Sequence, residues 1–393
     1  MPYPAISREF KKKFPNYLSN TLRNLTEPRA SASKWNESHL EALRVLLIPA
    51  QKGDCSLPIL EPYLQKARSE LELHREFKEK LQVFGSDAVQ TLSHSELFHT
   101  GGRLGSMYQS LAIVLETSQS QQNTESRPSR EPSTPNREGF VSGDGLGLSS
   151  PLGSDNTSES EYAPSESSGL SRRTNDARRK PEVATSTLAL SFLSAVLALT
   201  RNISEPTQLE VLTVPTTLKV QFGRLDYMCI DDGSLVYRKT GEASAGKWVS
   251  TATPVPCGVE SKAGFASWEG GEAGVSTRVL AQRVGEMLGM IHRNIINVED
   301  PNDINKMTKY DRTVFLIVAH QDRVRFTSAT FEPDYIEYLT TPTKNTSTFL
   351  HVEESRDYVL SNPEDRLEAA VSTIALSQYL EQSLPKAQGT GDG

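Results

Sequence analysis

Two short acidic motifs define the chemistry open to this chain. Gly223-Arg224-Leu225-Asp226 comes first and Glu260-Ser261-Lys262 follows, each inside a stretch with strand character. Side chains alternate across a strand, so Glu260 and Lys262 share one face while Ser261 points to the other with Val259. An acid and an amine are therefore neighbours by construction. If Asp226 opens a strand that pairs with that of Glu260, or shares a neighbour with it, two carboxylates meet. Like charges at that separation repel, and Mg²⁺ relieves the repulsion through the oxygen ligands it prefers. A divalent ion lowers the pKa of water, and Lys262 would orient that water or meet the charge developing on a phosphoryl group. Gly223 would let a backbone or nucleotide approach closely. The pair of motifs points to hydrolysis of a phosphodiester.

The elements that must position these residues come mostly after residue 183. Val183 to Thr200 is uncharged and rich in Leu and Ala, which suits a buried core helix. Its Thr and Ser content and the lack of an aromatic belt disfavour a membrane span. Leu218 to Phe222 and Leu225 to Ile230 read as strands. Asp231-Asp232-Gly233-Ser234 reads as a turn closing a hairpin onto Leu235 to Arg238, with both acids as turn formers. Gly241 to Thr253 is a loop with Trp248 at its edge, and Val255 to Lys262 is a strand. Val275 to Arg293 follows as a helix with Leu280, Val284, Met287, Leu288 and Ile291 on one face and Gln282 and Glu286 on another. Thr313 to Ala319 and Val324 to Phe331 are strands around a turn at Gln321-Asp322. The last helix starts at Asn362-Pro363-Glu364-Asp365, where Asn caps, Pro takes the first position and the acids meet the positive end of the helix dipole. Helix, strands, helix, strands, helix suggests one mixed α/β sheet with helices packed on it.

Upstream, residues 1–19 read as a flexible N-terminus and 20–116 as a small helical region. Trp35 to Pro49 has apolar residues at helical spacing. Ile59 to Val83 keeps that spacing with one slip, and Tyr108 to Leu115 is helical too. Residues 117–182 are dominated by Ser, Gly, Pro, Asn and charge and read as a disordered linker. Residues 183–385 form the second folded region, and 386–393 a flexible tail. Cys55, Cys229 and Cys257 are far apart in apolar settings, which fits reduced core residues better than disulfides or a zinc site. With no secretory signal, an intracellular protein, nuclear or cytoplasmic, is expected. The net charge is −7, and from residue 183 Lys plus Arg number 19 against 26 Asp plus Glu. That balance disfavours a protein that grips long duplexes electrostatically.

The order and context of these motifs resemble the PD-(D/E)XK nuclease-like superfamily, in particular the fungal PD-(D/E)XK nuclease-like proteins. The residues that carry the resemblance are Gly223-Arg224-Leu225-Asp226, Glu260-Ser261-Lys262, the helix bearing Gln282, and the two strands that follow. The resemblance implies a restriction-endonuclease-like core over 183–385, with Asp226 and Glu260 holding Mg²⁺ or Mn²⁺. Lys262 is then the catalytic lysine and Gln282 an auxiliary polar group. The superfamily often places an acid on its first core helix, where this chain offers only Glu182 at one edge or Glu205 beyond the other. The function implied is metal-dependent cleavage of DNA or RNA. The rival expectation is an inactive nuclease-like fold that binds nucleic acid, or a protein partner through its helical N-terminal region. His292 and His320 are bases by chemistry alone, and Glu286 reads as an exposed helix acid.

Overall fold

The computed structural model describes residues 3–25, 27–50, 56–125, 172–200, 207–239, 255–262, 267–269, 272–274, 276–296, 307–341 and 347–382. The centre of the linker expected over 117–182, the loop holding Trp248, Cys55, Glu205 and the tail 386–393 lie outside these residues. The linker's two ends are helical.

In chain order the elements are α1 (Ser7–Lys13), α2 (Glu37–Ala42), β1 (Val45–Ile48), α3 (Glu61–Leu73), α4 (Arg75–Gln82), α5 (Ser86–Thr91), α6 (His94–Gly101), α7 (Gly105–Glu125) and α8 (Arg172–Thr200). Then come β2 (Thr207–Leu212), β3 (Thr217–Phe222), β4 (Leu225–Ile230), β5 (Gly233–Lys239), β6 (Cys257–Lys262), β7 (Ser267–Glu269), β8 (Glu272–Gly274) and α9 (Thr277–Ile296). The chain closes with β9 (Thr313–His320), β10 (Arg323–Thr330), α10 (Pro333–Thr340), β11 (Leu350–Glu354), β12 (Tyr358–Val359) and α11 (Pro363–Gln382). The protein is α/β, with an eight-stranded mixed sheet in the order β1-β11-β10-β9-β6-β5-β2 and β12 on β10.

Strand β6 lies inside the sheet, antiparallel to β5 and parallel to β9. All of its residues but Lys262 are buried, as befits a strand covered on both faces. Alternate residues serve alternate layers. Cys257 and Val259 join a core with α3, α7, α8 and α11, whereas Leu316 and Val318 of β9 join a second core with α9, α10 and the β3-β4 hairpin. Val183 to Thr200 is the core helix expected, with Leu188, Phe192, Leu193 and Val196 buried. The cap at Asn362 also forms, its Oδ1 accepting from the Glu364 N–H at 2.9 Å.

Three upstream readings are corrected. The described residues of 1–19 are not a loose end: Phe10 of α1 and Phe14 at its C-cap are buried with Leu46. Trp35 to Pro49 is not one helix, because α2 stops at Ala42 and Val45–Ile48 becomes a strand parallel to β11. The break runs through Arg44, at φ 53°, with its guanidinium over the Tyr17 and Tyr338 rings. The slip in Ile59 to Val83 is the boundary between α3 and α4 at His74. Residues 20–116 therefore supply an edge strand of the main sheet and share both cores with the rest of the chain.

Candidate functional site

The site is built around the last turn of pleat in β6. Glu260 and Lys262 lie on its α9-facing side, as alternation requires, and the carboxylate of Glu260 is paired with the Lys262 ammonium. Glu260 is 2 % exposed. Gln282, one turn into α9, donates from Nε2 to Glu260 Oε1 at 2.6 Å and to Glu286 Oε1 at 3.0 Å. Gln282 and Glu286 stand four residues apart and so share a helix face. That face is turned to the sheet: Glu286 is buried, not the exposed helix acid its spacing suggested.

From the other layer, Glu182 on α8 brings Oε1 within 3.4 Å of Lys262 Nζ. This is an acid on the helix that precedes β2, at the edge position noted in the sequence.

The second acid close to Glu260 is not Asp226. Phe222 and Leu225 pair across a two-residue turn in which Gly223 has φ 54°, a positive angle glycine adopts without steric cost. The G-x-x-D pattern is thus hairpin chemistry. β3 and β4 form a two-stranded sheet of their own, and β4 alternates so that Leu225, Tyr227 and Cys229 pack inward while Asp226 points outward. Asp226 is 56 % exposed on its side chain, with Arg29 at 4.0 Å. It belongs to a different face and a different sheet from Glu260, so the predicted pair of ligands does not form.

Asp231 and Asp232 take its place. They do not close a hairpin between β4 and β5; they carry the chain from one sheet to the other. Asp232 N–H donates to Val259 O at 2.9 Å, and Asp232 Oδ2 accepts from Ser261 N–H at 2.7 Å, clamping the start of β5 to the end of β6. Asp231 is anchored by the Thr216 N–H to Oδ1 at 2.6 Å, and its buried Oδ2 has no hydrogen-bond partner. The sequence signal for this pair was two consecutive acids between apolar strands, which turn chemistry explained equally well.

The electrostatics follow from crowding acids out of water. Burial raises the Asp231 pKa to about 8, with Asp232 and Glu260 adding to the shift against the Thr216 N–H and Arg293. Burial also raises Glu260 to about 7, although Lys262 pulls it down. Glu286 is pushed well above the carboxylate range by burial and by Glu260, and its Oε2 is buried without a partner. Asp232 is raised by burial, less so because the Ser261 N–H and Lys262 oppose it. For Lys262 burial favours the neutral amine, but Glu260 and Glu182 prevail and the ammonium is held more firmly than usual.

His320 lies opposite Lys262 in the β6-β9 register. The Arg283 guanidinium donates to its Nε2 at 2.7 Å and to Glu354 Oε1 at 2.9 Å. Glu354 also binds Arg325, which reaches Asp357. An imidazole nitrogen that accepts from a guanidinium is unprotonated, so this contact sets the tautomer. His292 is placed elsewhere, edge-on to Phe222 at 4.8 Å between α9 and the hairpin, where burial lowers its pKa.

Among the described residues no three ligating side chains are gathered around one point. The donor set is hard carboxylate oxygen. That suits Mg²⁺, which is commonly held by one or two carboxylates while water and substrate phosphate complete its shell. The buried Asp231 Oδ2 and Glu286 Oε2 are donors of this kind left without a hydrogen-bond partner. Among known proteins, no family model, no curated protein and no solved structure matches this chain.

Proposed function

We propose that the protein is a metal-dependent phosphodiester hydrolase of restriction-endonuclease-like architecture, acting on DNA or RNA with Mg²⁺ or Mn²⁺. The observation that carries this reading is the Glu260-Lys262 pair on a central strand, joined by Gln282 from α9, Glu182 from α8 and Asp232 from β5. The sheet with helices on both faces and the E-x-K pair at a strand end also agree with the superfamily that the sequence resembles.

In this reading Glu260 and Asp232 would hold the ion, and Glu286 and Asp231 would be the buried acids beside it. The bound ion would supply a Lewis acid and a water of lowered pKa. Gln282 orients the Glu260 carboxylate by donating to Oε1. Lys262, kept protonated by its acidic neighbours, donates to the attacking water or to a phosphoryl oxygen as charge builds there. Glu182 holds the Lys262 ammonium toward the cleft.

The test is cleavage of labelled single- and double-stranded DNA and RNA by the purified full chain in Mg²⁺ or Mn²⁺. Lys262→Ala, Glu260→Gln and Asp232→Asn are expected to lower the rate by at least about 100-fold, the scale of losing a charge-stabilising group. Asp226→Asn should cleave like the wild type. Undiminished cleavage by Lys262→Ala would refute the assignment.

A further inference from the structure

A cavity of about 820 Å³ opens beside this site and runs along α8. At one end it is lined by Glu182 and Asp232, and at the other by Ala198 and Arg103. Arg103 also lines a second cavity of about 430 Å³, which takes in Lys80 and Leu199. From Glu182 to Leu199 the helix rises about 26 Å at 1.5 Å per residue. The two cavities share Arg103 in their walls and together mark out a track along α8 leading away from the acids.

Charge differs between the two ends of the track, and the acids of the site lie at one of them. At the far end Lys80 and Arg103 have no carboxylate partner among the described residues, whereas Arg75 beside them is tied to Glu79. Between the ends the wall is a mixture of apolar carbon and hydroxyls, including the exposed Ser194.

We infer that this track binds one strand of nucleic acid, with phosphates at Lys80 and Arg103 and the strand leading back to Glu182 and Asp232. The inference rests on the hydrolase reading and names the form of its substrate. A duplex brings one charge per about 1.7 Å of axis against one per about 3.4 Å for each strand. The two cations that the cavity walls offer without a carboxylate partner among the described residues, Lys80 and Arg103, suit the lower density. The volume is that of a pocket enclosing a small ligand; it accommodates a few nucleotides of one strand and is too small for a turn of duplex.

The experiment measures fluorescence anisotropy of a short labelled oligonucleotide of mixed sequence, single-stranded and annealed, with the full chain in EDTA over a salt series. The single strand is expected to bind more tightly than the duplex. Lys80→Gln combined with Arg103→Gln should weaken single-strand binding about tenfold and flatten the log–log salt slope by about 1.4, since each phosphate contact to a single strand contributes about 0.7. Ser194→Glu, at an exposed position, should also weaken it. Thermal melting of each variant shows that folding is retained. Tighter binding of duplex, no binding of either probe, or wild-type affinity in all the variants would overturn the track. Cleavage by a wild type whose KM is unmoved in the Lys80/Arg103 variant would sink the track and leave the hydrolase reading intact. Strand binding that depends on Lys80 and Arg103 in a protein that never cleaves would keep the track and end the hydrolase reading.

Discussion

Glu260, Glu286 and Asp231 hold protons in the folded chain at pH values where free carboxylates have released them, and this has a consequence for stability. Well below the ordinary carboxylate range both folded and unfolded chains are protonated at these groups. Between that range and pH 7 to 8, the values to which Glu260 and Asp231 are raised, the folded chain holds the more protons. Stability therefore falls as pH rises through the window. Thermal melting is expected at a lower temperature at about pH 8.5 than at about pH 5.5, with a smaller difference in Glu286→Gln, which cannot ionise. Mg²⁺ or Mn²⁺ should raise the melting temperature chiefly at the higher pH, because a carboxylate must lose its proton to bind the ion. At this scale the E-x-K pair was legible because strand alternation alone makes Glu260 and Lys262 neighbours. Asp226 was misread because a turn glycine and a metal-site glycine look identical in one sequence. The burial of Asp231 and Glu286 depends on which layers close over them, and that information is spread over the whole chain.

The elements around the site owe their fit to α9. Gly285 and Gly289 lie one turn apart on the face that receives the β3-β4 hairpin and the segment before α2. A Cβ on Gly285 would come within 2.6 Å of the Ala32 Cβ, and one on Gly289 within 2.8 Å of Cys229 Sγ. The Tyr227 hydroxyl donates to Gly285 O at 2.7 Å across the same contact. Gly285→Val is expected to destabilise by about 1–3 kcal/mol, the cost of overpacking, as read from denaturant unfolding. The strong apolar periodicity of α9 and the capping residues of α11 made both helices readable. Residues 35–49 were not, because Leu40, Leu43, Leu46 and Leu47 satisfy a helical repeat while Val45–Ile48 also suits a buried strand. Pairing with β11 decided between them, and that partner lies some three hundred residues downstream.

For the whole molecule, the split into an upstream helical unit and a downstream α/β unit does not describe how the cores are shared. Trp35 is fully buried against the α9 side, and Leu60, Leu71, Tyr108 and Leu111 are buried in the core with α8 and α11. Arg366 of α11, fully buried, donates to Phe84 O at 2.6 Å and lies over the Tyr108 ring. A fragment beginning at Arg172 is expected to lack cooperative unfolding in calorimetry, because both sheet faces lose part of their cover. Trp35→Ala in the full chain should cost about 3–5 kcal/mol. The α/β class was visible from the alternation of helices and strands. The joint core was not, since the low-complexity stretch between the two regions reads like a boundary whether or not the chain folds back across it.

The pairing of β1 with β11 also sets a schedule for biosynthesis. Val45 leaves the ribosome long before Leu350, its partner in the register. At about 5–20 residues per second the interval is on the order of tens of seconds. During that time the nascent edge strand waits without its neighbour and is exposed to mispairing. In a molecule laid out this way the main sheet gains β1 as a paired edge only after β11 has been made.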